Sequence, residues 1–285
     1  MLSSPVNNEF CWQLSSQAGV RPAAAYGDVV TANAAAHTKG VYTAIFLDTE
    51  VVNDVYGVLI NLNSADVATA TRNHLTDIAW DPAGGTNYQD RIPNLLSAAA
   101  CDLLLASGVW YYFPVFIKAG SEIAARTQSS TGAATIRVWM QLFGKPTHPE
   151  LCRVGQKVVA YGANTGTSAG VAMTPGTTSD GAYVTIATPA ESCWFWQLGI
   201  GCGDATQNPT LYFCDLAYGA AGSEKLIIED LPKWNYTSSE EGGVNMAVPF
   251  ACYRSVQAGT IIRGRSQCNG TADATFTVAA YGVTG

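Results

Sequence analysis

Ala119-Gly120-Ser121-Glu122-Ile123-Ala124-Ala125-Arg126-Thr127-Gln128 returns, at a shift of 139 positions, as Ala258-Gly259-Thr260-Ile261-Ile262-Arg263-Gly264-Arg265-Ser266-Gln267. Upstream, Asp77-Ile78-Ala79-Trp80 returns as Asp215-Leu216-Ala217-Tyr218 at a shift of 138. Asp90-Arg91-Ile92-Pro93 is matched by Asp230-Leu231-Pro232, and each copy closes on an aromatic–glycine pair, Phe143-Gly144 and Tyr281-Gly282. The same order at nearly the same shift marks a tandem duplication, so the fold is one unit used twice.

The repeated segment reads as a β-hairpin. Ile123 and Ala125 fall on one face of a strand, with Glu122, Ala124, Arg126 and Gln128 on the other. After the turn residues Ser129-Ser130-Thr131-Gly132, a returning strand puts Ile136, Val138, Met140 and Leu142 inward and Arg137, Trp139 and Gln141 outward. The second copy keeps the parity, with Ala274, Phe276, Val278 and Ala280 inward and Thr275, Thr277 and Ala279 outward. A slip of one residue would reverse every side chain, so agreement in parity supports one architecture in both copies. Val41–Ile45 corresponds to Ala182–Ile186, and Tyr56–Ile60 to Trp194–Ile200.

Composition agrees. Of 285 residues, 28 are glycine and only 13% are charged, against 48% hydrophobic. Short apolar runs separated by Gly, Ser, Thr and Asn suit strands and turns, and no long stretch repeats with helical period. The expected fold is all-β: two tandem, jelly-roll-like antiparallel β-sandwich domains. The predicted boundaries are an N-terminal extension over 1–30, a first domain over 31–144, a Pro-containing linker over 145–154 and a second domain over 155–285.

A net charge of −7 without clustered Lys or Arg argues against nucleic acid as a partner. No apolar run reaches the 18 or so residues of a membrane span. The opening Met1-Leu2-Ser3-Ser4-Pro5-Val6-Asn7-Asn8-Glu9 has neither the basic nor the apolar region of a secretory signal, and none is expected. The eight cysteines include no C-x-x-C pair. They read as buried free thiols, with disulfides formed later in an oxidising medium as the alternative. The sequons at Asn235 and Asn269 are read as coincidental.

Candidate chemistry is sparse. Gly166-Thr167-Ser168-Ala169-Gly170 has the spacing of a nucleophile elbow, but it sits in a polar loop, and His37, His74 and His148 all precede it. Gly199-Ile200-Gly201-Cys202-Gly203 lacks the third glycine of a dinucleotide loop and reads as a strand end. Asp77 and Asp215 read as structural, each at a strand start holding a turn or loop. No catalytic residue, cofactor or metal site is expected. The candidate contact surface comprises Trp139, Arg126, Arg265, Trp110 and Tyr111, since aromatics and arginine are enriched where proteins meet partners.

From Phe113-Pro114-Val115-Phe116-Ile117-Lys118 through the Ala119–Ser130 hairpin strand, the chain resembles virion proteins of tailed bacteriophages: an apolar strand, Ala-Gly, an Ile-Ala-x-Arg strand and a Gln-Ser turn. The resemblance covers the closing hairpins, and the second copy departs from it at Arg263 and Gly264. It implies a non-enzymatic structural protein on the particle exterior, as capsid decoration or a neck or tail appendage. Such a protein is made in the host cytoplasm and works as a homo-oligomer in contact with other virion proteins. The alternatives are a glycan- or receptor-binding module for host adsorption and, ranked last, a polysaccharide hydrolase.

Overall fold

Along Thr135–Phe143 the side chains alternate strictly between half-buried and buried, with Ile136, Val138, Met140 and Leu142 inside. That period of two is what a strand with one face on a core requires. The architecture comes from a computed structural model describing residues 13–15, 27–64, 73–98, 109–145, 153–201, 210–235, 252–270 and 276–285. Among these residues no helix forms. The first copy contributes β1 (Gln13–Ser15), β2 (Asp28–Thr31), β3 (Thr43–Phe46), β4 (Gly57–Ser64), β5 (Asn73–Asp81), β6 (Gln89–Ala98), β7 (Val109–Phe113), β8 (Glu122–Ser129) and β9 (Thr135–Phe143). The second contributes β10 (Lys157–Tyr161), β11 (Val171–Ala172), β12 (Val184–Ala187), β13 (Cys193–Gly201), β14 (Thr210–Tyr218), β15 (Lys225–Asn235), β16 (Cys252–Val256), β17 (Ile262–Cys268) and β18 (Thr277–Thr284).

These strands make four antiparallel sheets. In the first copy one sheet runs β1-β9-β4-β7, with β2 also on β9, and the other runs β3-β8-β5-β6. In the second the orders are β10-β18-β13-β16, with β11 also on β18, and β12-β17-β14-β15. Adding nine to each strand number of the first pair gives the second, so the duplication extends to the whole jelly-roll topology.

β1 and β2 correct the reading of residues 1–30 as an extension without a counterpart. They pair with β9 as β10 and β11 pair with β18. At three and four residues, neither is long enough to show a periodicity. The predicted linker lies partly outside the described residues. At its end, Gly155 donates to the Pro114 carbonyl at 2.8 Å and accepts from Phe116 N at 2.9 Å, tying the second copy to the first. A Cβ at Gly155 would stand 2.2 Å from Val283 Cγ1, so only glycine fits there.

The two copies share a buried seam. Trp194, Phe195, Ala279, Tyr281 and Val283 lie on the outer face of the β10-β18-β13-β16 sheet, yet they belong to the same apolar cluster as the first copy's core. The outward parity expected for Ala279 is therefore right with respect to its own sandwich, but the first copy covers it completely. The second copy's own core holds Trp196, Tyr212, Leu216, Phe276 and Val278.

Candidate functional site

Three groupings collect the side chains that sequence reading singled out, and the first is duplicated. Asp77 stands directly opposite Arg126 across β5 and β8, and Asp215 opposite Arg265 across β14 and β17. Arg126 Nε donates to Asp77 Oδ2 at 3.0 Å, and Arg265 Nε to Asp215 Oδ2 at 2.7 Å. Each guanidinium lies over a tyrosine, Tyr42 at 4.6 Å and Tyr183 at 4.7 Å from the ring centroid. The second guanidinium arm reaches Asp90 in the first copy and Asp180 in the second. In the first copy Lys39 Nζ adds a bond to Asp77 Oδ1 at 2.7 Å, with no equivalent in the second among the described residues. Burial pulls the Lys39 ammonium below its ordinary range, against the opposing pull of Asp77. Burial, and then a hydrogen bond to Asp90, pushes the Tyr42 hydroxyl well above its own.

Both aspartates sit in mid-strand at a register shift, not at the strand start that sequence reading gave them. Each receives a backbone N–H from the neighbouring strand at 2.8 Å, Asn94 onto Asp77 and Asp230 onto Asp215. Asn94 and Asp230 have positive φ, 55° and 50°. Asp230 is thus the counterpart of Asn94, not of Asp90 as the sequence match suggested. The intervening hairpin closes on Trp80–Gln89 in one copy and on Tyr218–Lys225 in the other, and the shorter loop moves the alignment. The chemistry here is structural: a nearly buried carboxylate holds a bulge and neutralises the cations beside it.

The second grouping brings together residues that the sequence kept apart. Ser168 Oγ lies 3.0 Å from His37 Nδ1 and accepts from Gln128 Nε2 at 2.9 Å, while Gln128 Nε2 also donates to Thr165 O at 2.7 Å. A histidine earlier in the chain therefore does reach Ser168, across 131 positions. Ser168 is fully buried, so a substrate carbonyl has no approach to its Oγ in this arrangement. Both Ser168 and His37 hold positive φ, 54° and 58°, strained values for non-glycine residues. The trio clasps a loop of the second copy to the first. Ser168→Ala is expected to destabilise the protein by about 1–2 kcal/mol in urea unfolding. A fluorophosphonate probe should leave Ser168 of the native protein unlabelled, and labelling there would refute the clasp.

The third grouping is aromatic. Trp110 and Trp139 are half-buried and meet edge to face at 5.5 Å on the outer face of the β1-β9-β4-β7 sheet. Tyr111, expected on a contact surface, is 1% exposed. It donates to Leu96 O at 2.5 Å and packs edge-on against Tyr281 in the seam. β7 is a sheet edge, and the second copy covers the side that would otherwise meet water, which local alternation cannot reveal. Arg126 and Arg265 remain partly exposed, with 28% and 27% of their side chains accessible.

Among the described cysteines, Cys193, Cys214 and Cys268 are buried, Cys252 is half-buried, and all four are free. Burial pushes the Cys252 thiol up to about 11 and that of Cys214 higher still, so neither is a ready nucleophile. Gly199–Gly201 ends β13, as the strand-end reading expected. Among the described residues no three His, Cys, Asp or Glu side chains gather as metal ligands would. Nor is any helix long and apolar enough to cross a membrane.

No family model matches the chain, and no curated protein does. Among solved structures it is similar to PNGF-II, at 9% identity and TM-score 0.33 over 95% of this chain and 65% of that one. The chain thus spans just under two thirds of that protein's length. It is also similar to PNGase F, a glycosylasparaginase from Flavobacterium meningosepticum, at 8% identity and TM-score 0.34 over 95% of this chain and 96% of that one. A third likeness is the CBM22-1-CBM22-2 tandem domain of Paenibacillus barcinonensis Xyn10C, at 11% identity and TM-score 0.29 over 97% and 98% of the two chains. Likenesses this distant say nothing of activity or ligand.

Proposed function

We propose that the chain is a non-enzymatic structural protein of a bacteriophage particle, placed on the exterior and acting through protein–protein contacts. The carrying observation is a sheet edge bordered by exposed apolar residues. β3 is the edge strand of β3-β8-β5-β6, and Val41, Leu47 and Val52 beside it are 82%, 50% and 70% exposed. Edges that must stay solitary are usually blunted by lysine, proline or a covering segment, whereas exposed apolar residues favour association. The seam adds support, since two jelly rolls fused through a continuous core make a stiff building block. So does the internal use of the polar groups: Asp77, Asp215, Arg126, Arg265 and Ser168 all engage partners within the chain.

Light scattering on a sizing column tests this reading. The expected mass is that of a closed homo-oligomer, and Val41→Asp with Val52→Asp should reduce it to a monomer with unchanged circular dichroism. A wild-type monomer at every concentration, or an oligomer indifferent to both substitutions, would count against it.

A further inference from the structure

The outer face shared by β9, β4 and β7 carries a row of side chains that neither core nor seam uses. In register, Asn61 stands between Trp139 on β9 and Trp110 on β7, and one step along Asn63 faces Arg137. Asn61 and Asn63 are only 7% and 9% exposed. Even so, Asn61 Nδ2, Asn63 Oδ1 and Arg137 Nε are buried without a hydrogen-bond partner. Arg137 forms no ion pair among the described residues, unlike Arg126, Arg263 and Arg265. Buried donors and acceptors are nearly always paired, so three unpartnered ones on neighbouring positions call for an explanation.

The fold does not demand this row. At the matching positions of the second copy, Gly201 faces Thr277 and Gly199 faces Ala279. That smooth face serves the seam, whereas the first copy's face presents an indole, two amides and a guanidinium.

We infer that this face binds a saccharide bearing a carboxylate. A pyranose ring offers a flat C–H face to an indole, as Trp139 and Trp110 provide. Primary amides supply paired donors and acceptors to neighbouring hydroxyls, matching the unpartnered atoms of Asn61 and Asn63. A guanidinium takes a carboxylate in a forked geometry, and Arg137, set in this row, has none among the described residues. The protein's net charge of −7 opposes a dense polyanion, so the ligand carries isolated acidic units. A lone cation without a basic surround likewise does not suit a nucleic acid. This inference goes beyond the structural role proposed above and does not depend on it.

Calorimetric titration of the full-length protein tests it, with hyaluronan oligosaccharides and sialyllactose as acidic probes and maltohexaose as the neutral comparator. At least one acidic saccharide should bind, with maltohexaose about tenfold weaker or undetectable. Trp139→Ala and Arg137→Gln should each weaken acidic binding about tenfold while leaving the thermal midpoint of oligomer and seam in place. If Trp139→Ala fails to fold, Arg137→Gln and Asn61→Ala decide the matter. No binding by any acidic probe, equal binding of maltohexaose, or undiminished binding by the folded variants would overturn the inference. The mass measured by light scattering bears only on the structural role, so the two readings fail separately.

Discussion

Asp77→Asn is expected to lower stability by about 3 kcal/mol, read as a fall in the urea midpoint at constant slope. The side chain of Asp77 is 3% exposed and faces two cations, Lys39 at 2.7 Å and Arg126 at 3.0 Å. An asparagine of the same shape can still accept the Asn94 N–H, but it takes the counterion from Lys39 and leaves Arg126 with Asp90 alone. Removing one partner of a buried ion pair typically costs about 3–5 kcal/mol. The lower end applies because Lys39 and Arg126, at 18% and 28% side-chain exposure, recover some hydration. The second copy supplies an internal control. Asp215 pairs with Arg265 and, among the described residues, with no second cation, and Arg265 keeps Asp180, so Asp215→Asn should cost less. A loss below about 1 kcal/mol for Asp77→Asn would mean that the cluster behaves as an ordinary surface pair.

The bulge makes the effect larger than a local one. Asn94 gives its N–H to Asp77 and, through its carbonyl, accepts the Tyr281 hydroxyl at 2.9 Å. Loosening Asp77 therefore frees a backbone segment that also carries the seam, and both sandwiches should soften together.

Much of this was legible in the residues. The alternation of Ile136, Val138, Met140 and Leu142 against Arg137, Trp139 and Gln141 gives both the strand and its facing, because each side chain reports its own environment. The repetition of Asp and Arg was visible in the sequence, though not their pairing, and they meet as cross-strand neighbours. What stayed hidden depends on non-local packing. β1 and β2 hold too few residues to show a period. The meeting of Ser168 with His37, and the burial of Tyr111 by Tyr281, depend on how one sandwich leans on the other, and no local pattern encodes that. Gly264 stands where the first copy has Ala125, and a Cβ there would lie 2.5 Å from Met173 Cε, so glycine makes room for a core side chain particular to the second copy. Asn61 and Asn63 gave no signal, since an amide on an outward position is ordinary until its burial is known.

Raising the pH beyond 10 should unfold the protein steeply, with tyrosine ionisation and loss of structure in one step. Among the described residues, Tyr42, Tyr88, Tyr111, Tyr161, Tyr183 and Tyr281 have hydroxyls held above their ordinary value of 10. Burial is the leading cause in each, and a hydrogen bond to Glu122 helps take Tyr88 to about 12. A raised acid favours the folded state fully below its unfolded value and loses that contribution as pH climbs toward its folded value. The window therefore opens at about pH 10 and runs upward. Each group surrenders about 1.4 kcal/mol per pH unit there, so the fully buried Tyr111 and Tyr281 alone remove nearly 3 kcal/mol per unit. The more exposed Tyr42, Tyr88 and Tyr183 contribute less, because water screens them. Lys39 acts with the opposite sign below its ordinary value of 10.5, where a rise in pH relieves its burial, and so it delays the loss without preventing it. Against a total stability of roughly 5–15 kcal/mol, two to four pH units suffice. Tyr281→Phe separates the causes. It leaves Leu96 N without its 2.7 Å acceptor, costing about 1–3 kcal/mol at neutral pH, and it should flatten the alkaline slope by about one tyrosine's share. Tyrosinate absorbance and circular dichroism followed together would decide it. If all the tyrosines ionise near pH 10 while the β-sheet signal stays intact, the seam is open to water and the two jelly rolls do not share a core.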